Sequence, residues 1–199
     1  MTRLIALTQR VAEVAAYNER RDALDQRWSA LLEQAGYLPL LLPNRPEMVL
    51  ALVHRLQPDG LILTGGNTPV AYGGNAPERD ETEHRLLGYA LAQEMPVLGV
   101  CRGMEVLLTH FGQPLVEVKG HVCQQQTIRF RGEEVTVNSY HNWGCYDVPE
   151  SFEIEGQAAD GVVKAIRHKS KAIQGVMWHP ERLNPFWQDD VERLQKLFG

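Results

Sequence analysis

Four short apolar runs alternate with helix-like segments over the first 111 residues of the chain. Each run is four or five residues long, the length of a buried strand, and the segments between them show helical spacing. The runs cover residues 4–7, 38–42, 60–64 and 96–100, and the helices cover residues 24–35, 46–56, 82–94 and 102–111. Because parallel strands need a crossover connection, this order predicts a mostly parallel sheet with helices on both faces.

The second half of the chain has a different character, with short strand-like segments followed by a closing helix. The strands are predicted at residues 115–118, 127–130, 134–137, 152–155, 162–166 and 172–177, and the helix at residues 187–198. Residues 68–79, rich in Gly, Pro and Asn, predict a long loop of a kind that is often functional. Without repeats or linkers, residues 1–199 are expected to form one α/β domain, a three-layer sandwich.

The charge and cysteine content limit the partners of this chain. A formal net charge of -5 disfavours nucleic acid as a partner, since phosphate-backbone binding needs clustered Lys and Arg. Three cysteines at irregular spacing do not predict a disulfide framework, which favours a reducing compartment. The N-terminal apolar run is too short for a signal peptide, and no stretch approaches the roughly 20 apolar residues of a membrane span. We therefore expect a cytoplasmic protein with no membrane partner.

The segment Gly99-Val100-Cys101-Arg102-Gly103 predicts a nucleophile at a sharp turn. A buried strand ends there and a helix begins at once, as in a nucleophile elbow with Cys in place of Ser. The helix N-terminus is expected to favour the reactive thiolate. The alternative, an inert buried Cys beside a glycine turn, is disfavoured by the two flanking glycines.

A cysteine nucleophile needs a base and a group that orients the base, and Trp178-His179-Pro180-Glu181 supplies both. The segment follows an apolar strand, and catalytic groups collect at the carboxyl ends of strands in open α/β sheets. We predict that His179 accepts the thiol proton and that Glu181 holds the imidazole. Taken alone, these residues could equally be surface residues in a turn.

Together these segments resemble the class I glutamine amidotransferase superfamily, with its Cys-His-Glu triad and flavodoxin-like fold. Gly65-Gly66-Asn67 resembles the oxyanion loop of that family. The resemblance implies that the backbone N–H groups of Gly66 and Arg102 hold the developing negative oxygen. It also implies that a segment after the predicted strand at residues 134–137 receives the glutamyl group, with Gly65, Asn67 and Arg102 nearby. The members of that segment are Ser139, Tyr140, His141, Asn142 and Trp143.

Within the superfamily, the chain is most similar to the γ-glutamyl hydrolase-like branch, peptidase C26. Arg79-Asp80 followed by Glu83, upstream of the elbow, carries this resemblance. Residues 8–10, the elbow and residues 139–143 resemble a member that acts on a γ-glutamyl-CDP-amidate in capsule phosphoramidate synthesis. One departure is Glu105, which stands where many members carry a glutamyl-contacting Gln. Its carboxylate could repel the carboxylate of the substrate, accept from its ammonium group, or face elsewhere.

Other candidate sites are weaker. His121 and Cys123, with His141 and Cys145, fit no established zinc spacing, and we expect no metal. The polar segment that contains Tyr17, Arg20 and Arg21 is predicted to be a solvated loop or helix start. Its alternative role is a contact to a nucleotide diphosphate, with Arg for charge and Tyr for stacking.

The reaction that the resemblance implies is acyl transfer from a small-molecule γ-glutamyl amide to water through a thioester on Cys101, with no metal or organic cofactor. Three functions compete. The first is a free-standing γ-glutamyl hydrolase, for the CDP-amidate or for a peptide or polyamine conjugate. The second is a glutaminase that delivers ammonia to a separate synthase partner, and the third is a non-catalytic scaffold. The set of Cys101, His179 and Glu181 argues against the third, and a homodimer is allowed.

Overall fold

The computed structural model describes residues 2–199. The strands are β1 Leu4–Leu7, β2 Arg10–Val14, β3 Glu19–Ala23, β4 Leu38–Leu41, β5 Gly60–Leu63, β6 Val97–Val100, β7 Val116–Glu117, β8 Val122–Phe130, β9 Glu133–Tyr140, β10 Trp143–Gly144, β11 Phe152–Ala158, β12 Val163–His168 and β13 Ile173–Val176. The helices are α1 Arg27–Ala35, α2 Pro46–Leu56, α3 Pro77–Ala92, α4 Arg102–His110 and α5 Gln188–Phe198.

A nine-stranded sheet in the order β4-β1-β5-β6-β13-β12-β11-β8-β9 forms the middle layer. The strands from β4 to β13 in that order run parallel, and the pairs from β13 to β9 are antiparallel. The central parallel strands β5 and β6 are buried along their whole length, as expected for strands covered on both faces. The predicted α/β class, a mostly parallel sheet between helical layers, is confirmed.

Helices cover the two faces of the sheet and give each face its own apolar core. Ile5 and Leu7 of β1 point to one face, where α1 and α5 pack around Trp28. Ala6 points to the opposite face, where α2, α3 and α4 pack. This division follows from the alternation of side chains along a strand. None of the helices within residues 2–199 is long and apolar enough to cross a membrane.

The structure differs from the sequence prediction in two segments near the carboxyl ends of the parallel strands. The polar segment after β1, predicted as a loop or helix start, is the antiparallel hairpin of β2 and β3. Its strands are largely exposed, so they lack the apolar alternation that predicts a strand. The predicted loop at residues 68–79 ends early, because α3 begins at Pro77. In the first turns of α3, the buried positions hold Arg79 and Glu83 instead of apolar residues, so the sequence shows no helical pattern of apolar residues there.

A third difference concerns the predicted strand at residues 115–118. It contains β7, which pairs with β10 in a separate two-stranded ribbon and does not join the main sheet. The ribbon is only two residues long on each side, so its apolar pattern could not distinguish the two placements.

Candidate active site

Cys101 lies at a sharp turn between β6 and α4. Its backbone has φ 51° and ψ -108°, a conformation that non-glycine residues adopt only when the surroundings enforce it. A Cβ atom on Gly99 would lie 2.6 Å from the backbone of Gly103, and one on Gly103 would collide with the carbonyl oxygen of Leu63 in β5. The two glycines thus allow α4 to start directly against the sheet, as the elbow motif predicts.

His179 and Glu181 form a buried pair immediately after β13. His179 Nδ1 lies 2.7 Å from Glu181 Oε1, and both side chains are almost completely buried. Asn138 on β9 fixes the backbone of His179, because its Oδ1 accepts from the His179 N–H and its Nδ2 donates to the His179 carbonyl oxygen, each at 2.8 Å. Since β13 pairs with β6, this pair lies at the same edge of the sheet as Cys101.

The predicted oxyanion loop packs directly on the imidazole. A Cβ atom on Gly65 would lie 2.5 Å from His179 Cε1, so any side chain at this position would displace the ring. Gly66 has φ +85°, in the left-handed region that favours glycine. The structure therefore brings Gly65, Gly66, His179 and Glu181 together around one cavity.

A buried ionic network connects the predicted oxyanion loop to the elbow. The Arg79 guanidinium donates to the carbonyl oxygens of residues 64–66, and its Nε donates to Glu83 Oε1 at 2.9 Å. The other oxygen of Glu83 accepts from Arg102, which also donates to Asp80. Arg79 and Glu83 are fully buried. The Arg79, Asp80 and Glu83 motif thus makes contacts within the protein. These side chains hold the loop of Gly66 and the elbow of Arg102, the two segments that carry the predicted oxyanion donors.

Burial raises the pKa of the Cys101 thiol, and the charge of Glu105 raises it further. The N–H of Arg102 and the guanidinium of Arg182 act in the opposite direction, but their effect is smaller. Burial and Glu105 thus outweigh the helix N-terminus, whose N–H at Arg102 lowers the pKa of the thiol in the predicted direction. A protonated thiol needs a base at the moment of attack, the role that the sequence predicts for His179.

Glu105 on α4 is buried beside these groups, with only 4% of its surface exposed. Burial raises its pKa to about 7, while the charges of Arg102 and Arg79 lower it. Of the three possibilities that the sequence leaves open, this burial beside Arg102 and Arg79 favours the third, a side chain that faces the protein. Its ionisation near neutral pH places a negative charge close to Cys101.

Replacing Glu105 with Gln is expected to make the thiol of Cys101 easier to ionise. Above pH 7 the wild-type carboxylate is charged and opposes the thiolate, so the variant should react with iodoacetamide about 3- to 10-fold faster at pH 8. Below pH 6 the wild-type carboxyl is protonated, and the two rates should converge. Glu33→Gln, on the exposed side of α1, is the control. Superimposable alkylation profiles for wild type and Glu105→Gln would contradict this electrostatic coupling.

The predicted substrate segment approaches the nucleophile at Tyr140. The Cys101 thiol donates to the Tyr140 carbonyl oxygen at 3.9 Å, and the rings of Tyr140 and His179 lie 5.8 Å apart. Asn142 is exposed, and its carbonyl oxygen accepts from the N–H of Val118. The Trp143 ring packs 4.9 Å from Tyr72 and not on the catalytic pair.

The side chains of Ser139 and His141 turn into the protein and meet Lys164 of β12. Lys164 Nζ donates to Ser139 Oγ at 2.9 Å and to His141 Nε2 at 2.6 Å, while His141 Nδ1 donates to the Trp143 carbonyl oxygen. Burial and the Lys164 charge lower the pKa of His141 to about 3, so its imidazole is neutral. Sequence analysis missed Lys164, although a lysine inside the apolar run at residues 162–166 was a signal.

The remaining candidates are occupied by contacts within the protein. Asn67 uses its amide to bind the backbone of Val11, accepting at 2.8 Å and donating at 2.9 Å, which docks the β2–β3 hairpin. Arg20 pairs with carboxylates of its neighbours and Arg21 pairs with Glu19, so neither is free. His121 stacks on His141 at 5.0 Å and bonds to Asp160 and Gln126.

The fold and the residues at its sheet edge define a class I glutamine amidotransferase-like domain. A family model for peptidase C26 matches residues 3–125 and 115–181, and the chain belongs to this family. It is 29% identical over 98% of its length to γ-glutamyl-CDP-amidate hydrolase from Campylobacter jejuni, covering 97% of that protein. It is 26% identical over 87% of its length to γ-glutamyl-γ-aminobutyrate hydrolase from Escherichia coli, covering 82% of that protein.

A solved crystal structure supports the fold independently. It is that of a protein from Thermoplasma acidophilum named as a component of GMP synthase, with a TM-score of 0.74 and 21% identity, and the match covers 100% of this chain and 94% of that one. With the family membership and the two hydrolase relatives, the protein is a hydrolase that acts on γ-glutamyl amide bonds.

Proposed function

We propose that the protein releases glutamate from γ-glutamyl-CDP-amidate, giving a cytidine diphosphoramidate for capsule phosphoramidate synthesis, and that Cys101 is its nucleophile. The observation that carries the catalytic assignment is the buried 2.7 Å contact between His179 and Glu181 at the same sheet edge as the Cys101 elbow. The similarity to the Campylobacter hydrolase along almost the whole chain supports the substrate.

The proposed reaction begins when His179 accepts the thiol proton and Cys101 attacks the γ-carbonyl carbon. The N–H groups of Gly66 and Arg102 bind the oxyanion. The protonated imidazole then donates to the leaving nitrogen as the C–N bond breaks, which leaves a glutamyl thioester on Cys101. Glu181 stabilises the charged imidazole throughout.

Water completes the reaction. His179 accepts a proton from the water that attacks the thioester carbonyl, and it returns this proton to the sulfur as the C–S bond breaks. One amide and one water thus yield glutamate and the amidate, with the enzyme unchanged.

The substrate is tested by the kcat/KM of the purified protein for a panel of γ-glutamyl amides. The panel contains γ-glutamyl-CDP-amidate, glutamine, a γ-glutamyl dipeptide and a γ-glutamyl polyamine. We expect the largest value for the CDP-amidate, without any added protein. A larger value for the peptide or the polyamine would assign the enzyme to that substrate. Turnover of glutamine alone, accelerated by an extract, would instead favour an ammonia-delivering glutaminase.

A further inference from the structure

A cavity of about 140 Å³ lies beside the candidate catalytic pair, next to the β2–β3 hairpin. Its lining includes the loop glycines, the His179 and Glu181 side chains and two arginines, Arg10 and Arg182. Liquid water occupies about 30 Å³ per molecule, so the cavity has room for a small polar group. The cavity borders the His179 imidazole, which would protonate the leaving nitrogen in the proposed reaction.

Arg10 is a cation held over the oxyanion loop. It begins β2, and a Cβ atom on Gly66 would lie 3.1 Å from Arg10 Cδ. The side chain is exposed, and within residues 2–199 its guanidinium forms no ion pair with a carboxylate. Asn67 fixes the adjacent residue Val11 through two hydrogen bonds, so the hairpin presents Arg10 in a defined place.

Arg182 is the second cation at this cavity. Its guanidinium packs 4.9 Å from the centre of the Tyr140 ring and its Nε lies 3.5 Å from Glu181 Oε1. Its side chain is 38% exposed, so it can reach a ligand. Two carboxylates also line the cavity: Glu181 lies 2.7 Å from His179 Nδ1, and Asp25 accepts from the N–H of Arg27. Arg10 is thus the cation at this cavity without a carboxylate partner among residues 2–199, and the Arg182 guanidinium has only the 3.5 Å contact with Glu181.

We propose that Arg10 and Arg182 form a subsite for a phosphate group bonded to the leaving nitrogen of the substrate. This proposal rests on the proposed function, because it requires the scissile nitrogen to lie at His179. A phosphoramidate places its phosphorus one bond and its charged oxygens two bonds from that nitrogen, next to the cavity. Guanidinium groups bind phosphate oxygens through paired, charge-assisted hydrogen bonds, so they would favour a nucleoside diphosphate leaving group over a neutral amine.

The subsite is tested with Arg10→Gln and two substrates that differ in the leaving group. One is γ-glutamyl-CDP-amidate, and the other is γ-glutamyl-p-nitroanilide, whose leaving group carries no phosphate. Loss of a charge-assisted contact is expected to raise KM for the CDP-amidate about 10- to 100-fold, and by a much smaller factor for the anilide. Arg10→Lys should recover part of the loss. Arg85→Gln on α3, whose partner is Glu81, is the control and should behave as wild type.

CDP binding, measured by calorimetry, provides a readout that does not depend on turnover. Wild-type protein and Arg85→Gln should bind CDP with equal affinity, while Arg10→Gln and Arg182→Gln should bind it about 10-fold or more weakly. Wild-type protein that does not bind CDP, or equal KM factors for the two substrates in Arg10→Gln, would overturn the subsite. Hydrolysis of the anilide in that case would leave the proposed γ-glutamyl hydrolysis intact, whereas CDP binding without any hydrolysis would contradict the proposed function alone.

Discussion

Cys101→Ala protein is expected to lose at least about 1,000-fold in kcat/KM for its γ-glutamyl substrate, because no thioester can form. Cys101→Ser should be similarly impaired. A serine hydroxyl ionises far less readily than a thiol, and the buried site already disfavours the ionised form of Cys101. The measurement is glutamate release by purified variants under saturating and limiting substrate.

The matched control is Cys145→Ala, which removes another buried thiol. Cys145 follows β10 and packs in the apolar core on the α4 side of the sheet. This variant should keep activity within a few-fold of wild type, with some loss of stability. Activity retained in Cys101→Ala, or lost equally in both variants, would remove the assignment of Cys101 as nucleophile.

Glu83→Gln is expected to lower the free energy of unfolding by about 3–5 kcal/mol, because it removes one partner of a buried ionic network. Glu83 is fully buried between Arg79 and Arg102. The neutral amide would leave the positive charges of Arg79 and Arg102 with less negative charge beside them. Its NH2 group would also face one of the guanidinium groups, which is itself a donor. Activity should also fall, because Arg79 and Arg102 hold the loop and the elbow that carry the candidate oxyanion donors. Urea unfolding measures the first effect.

A neighbouring ion pair on the same helix separates burial from charge. Glu81 pairs with Arg85 at 2.7 Å with half of its side chain exposed, so Glu81→Gln should cost no more than about 0.5 kcal/mol. Equal losses in Glu83→Gln and Glu81→Gln would mean that the buried network contributes nothing specific.

Sequence periodicity predicted the parallel half of the fold because its strands are continuous apolar runs. Strands such as β5 and β6 are buried on both faces, and the glycines of the elbow act through close backbone contacts that any side chain would block. Both signals are local in the chain. Cys101 and His179 lie at the same end of the sheet. They could be recognised from local sequence because each follows the end of a predicted strand.

The β2–β3 hairpin was not predictable from its own residues. Its strands are exposed, and side chains distant in sequence hold it in place, among them Asn67 and Asn44, whose amide donates to Asp22 at 2.7 Å. The partners of Arg79 could not be read from the sequence for the same reason, since they are the carbonyl oxygens of residues 64–66. Tertiary contacts of this kind have no pattern in the sequence.

The ionisation of Cys101 shows how a correct local rule can be outweighed. A helix N-terminus favours a thiolate by a modest amount, and the sequence correctly predicted a helix after Cys101. The burial of the sulfur and the nearby Glu105 act in the opposite direction and dominate. Neither the depth of Cys101 nor the direction of the Glu105 side chain could be read from the residues alone.

Peptide mass mapping of the enzyme, quenched with acid during the first turnover of a γ-glutamyl substrate, tests the central claim most directly. We predict that the peptide containing Cys101 gains the mass of one γ-glutamyl group and that hydroxylamine removes it, as expected for a thioester. Peptides containing Cys123 and Cys145 should remain unmodified. Glutamate release that proceeds with no adduct on Cys101, or with an adduct on another residue, would contradict a covalent mechanism at this elbow.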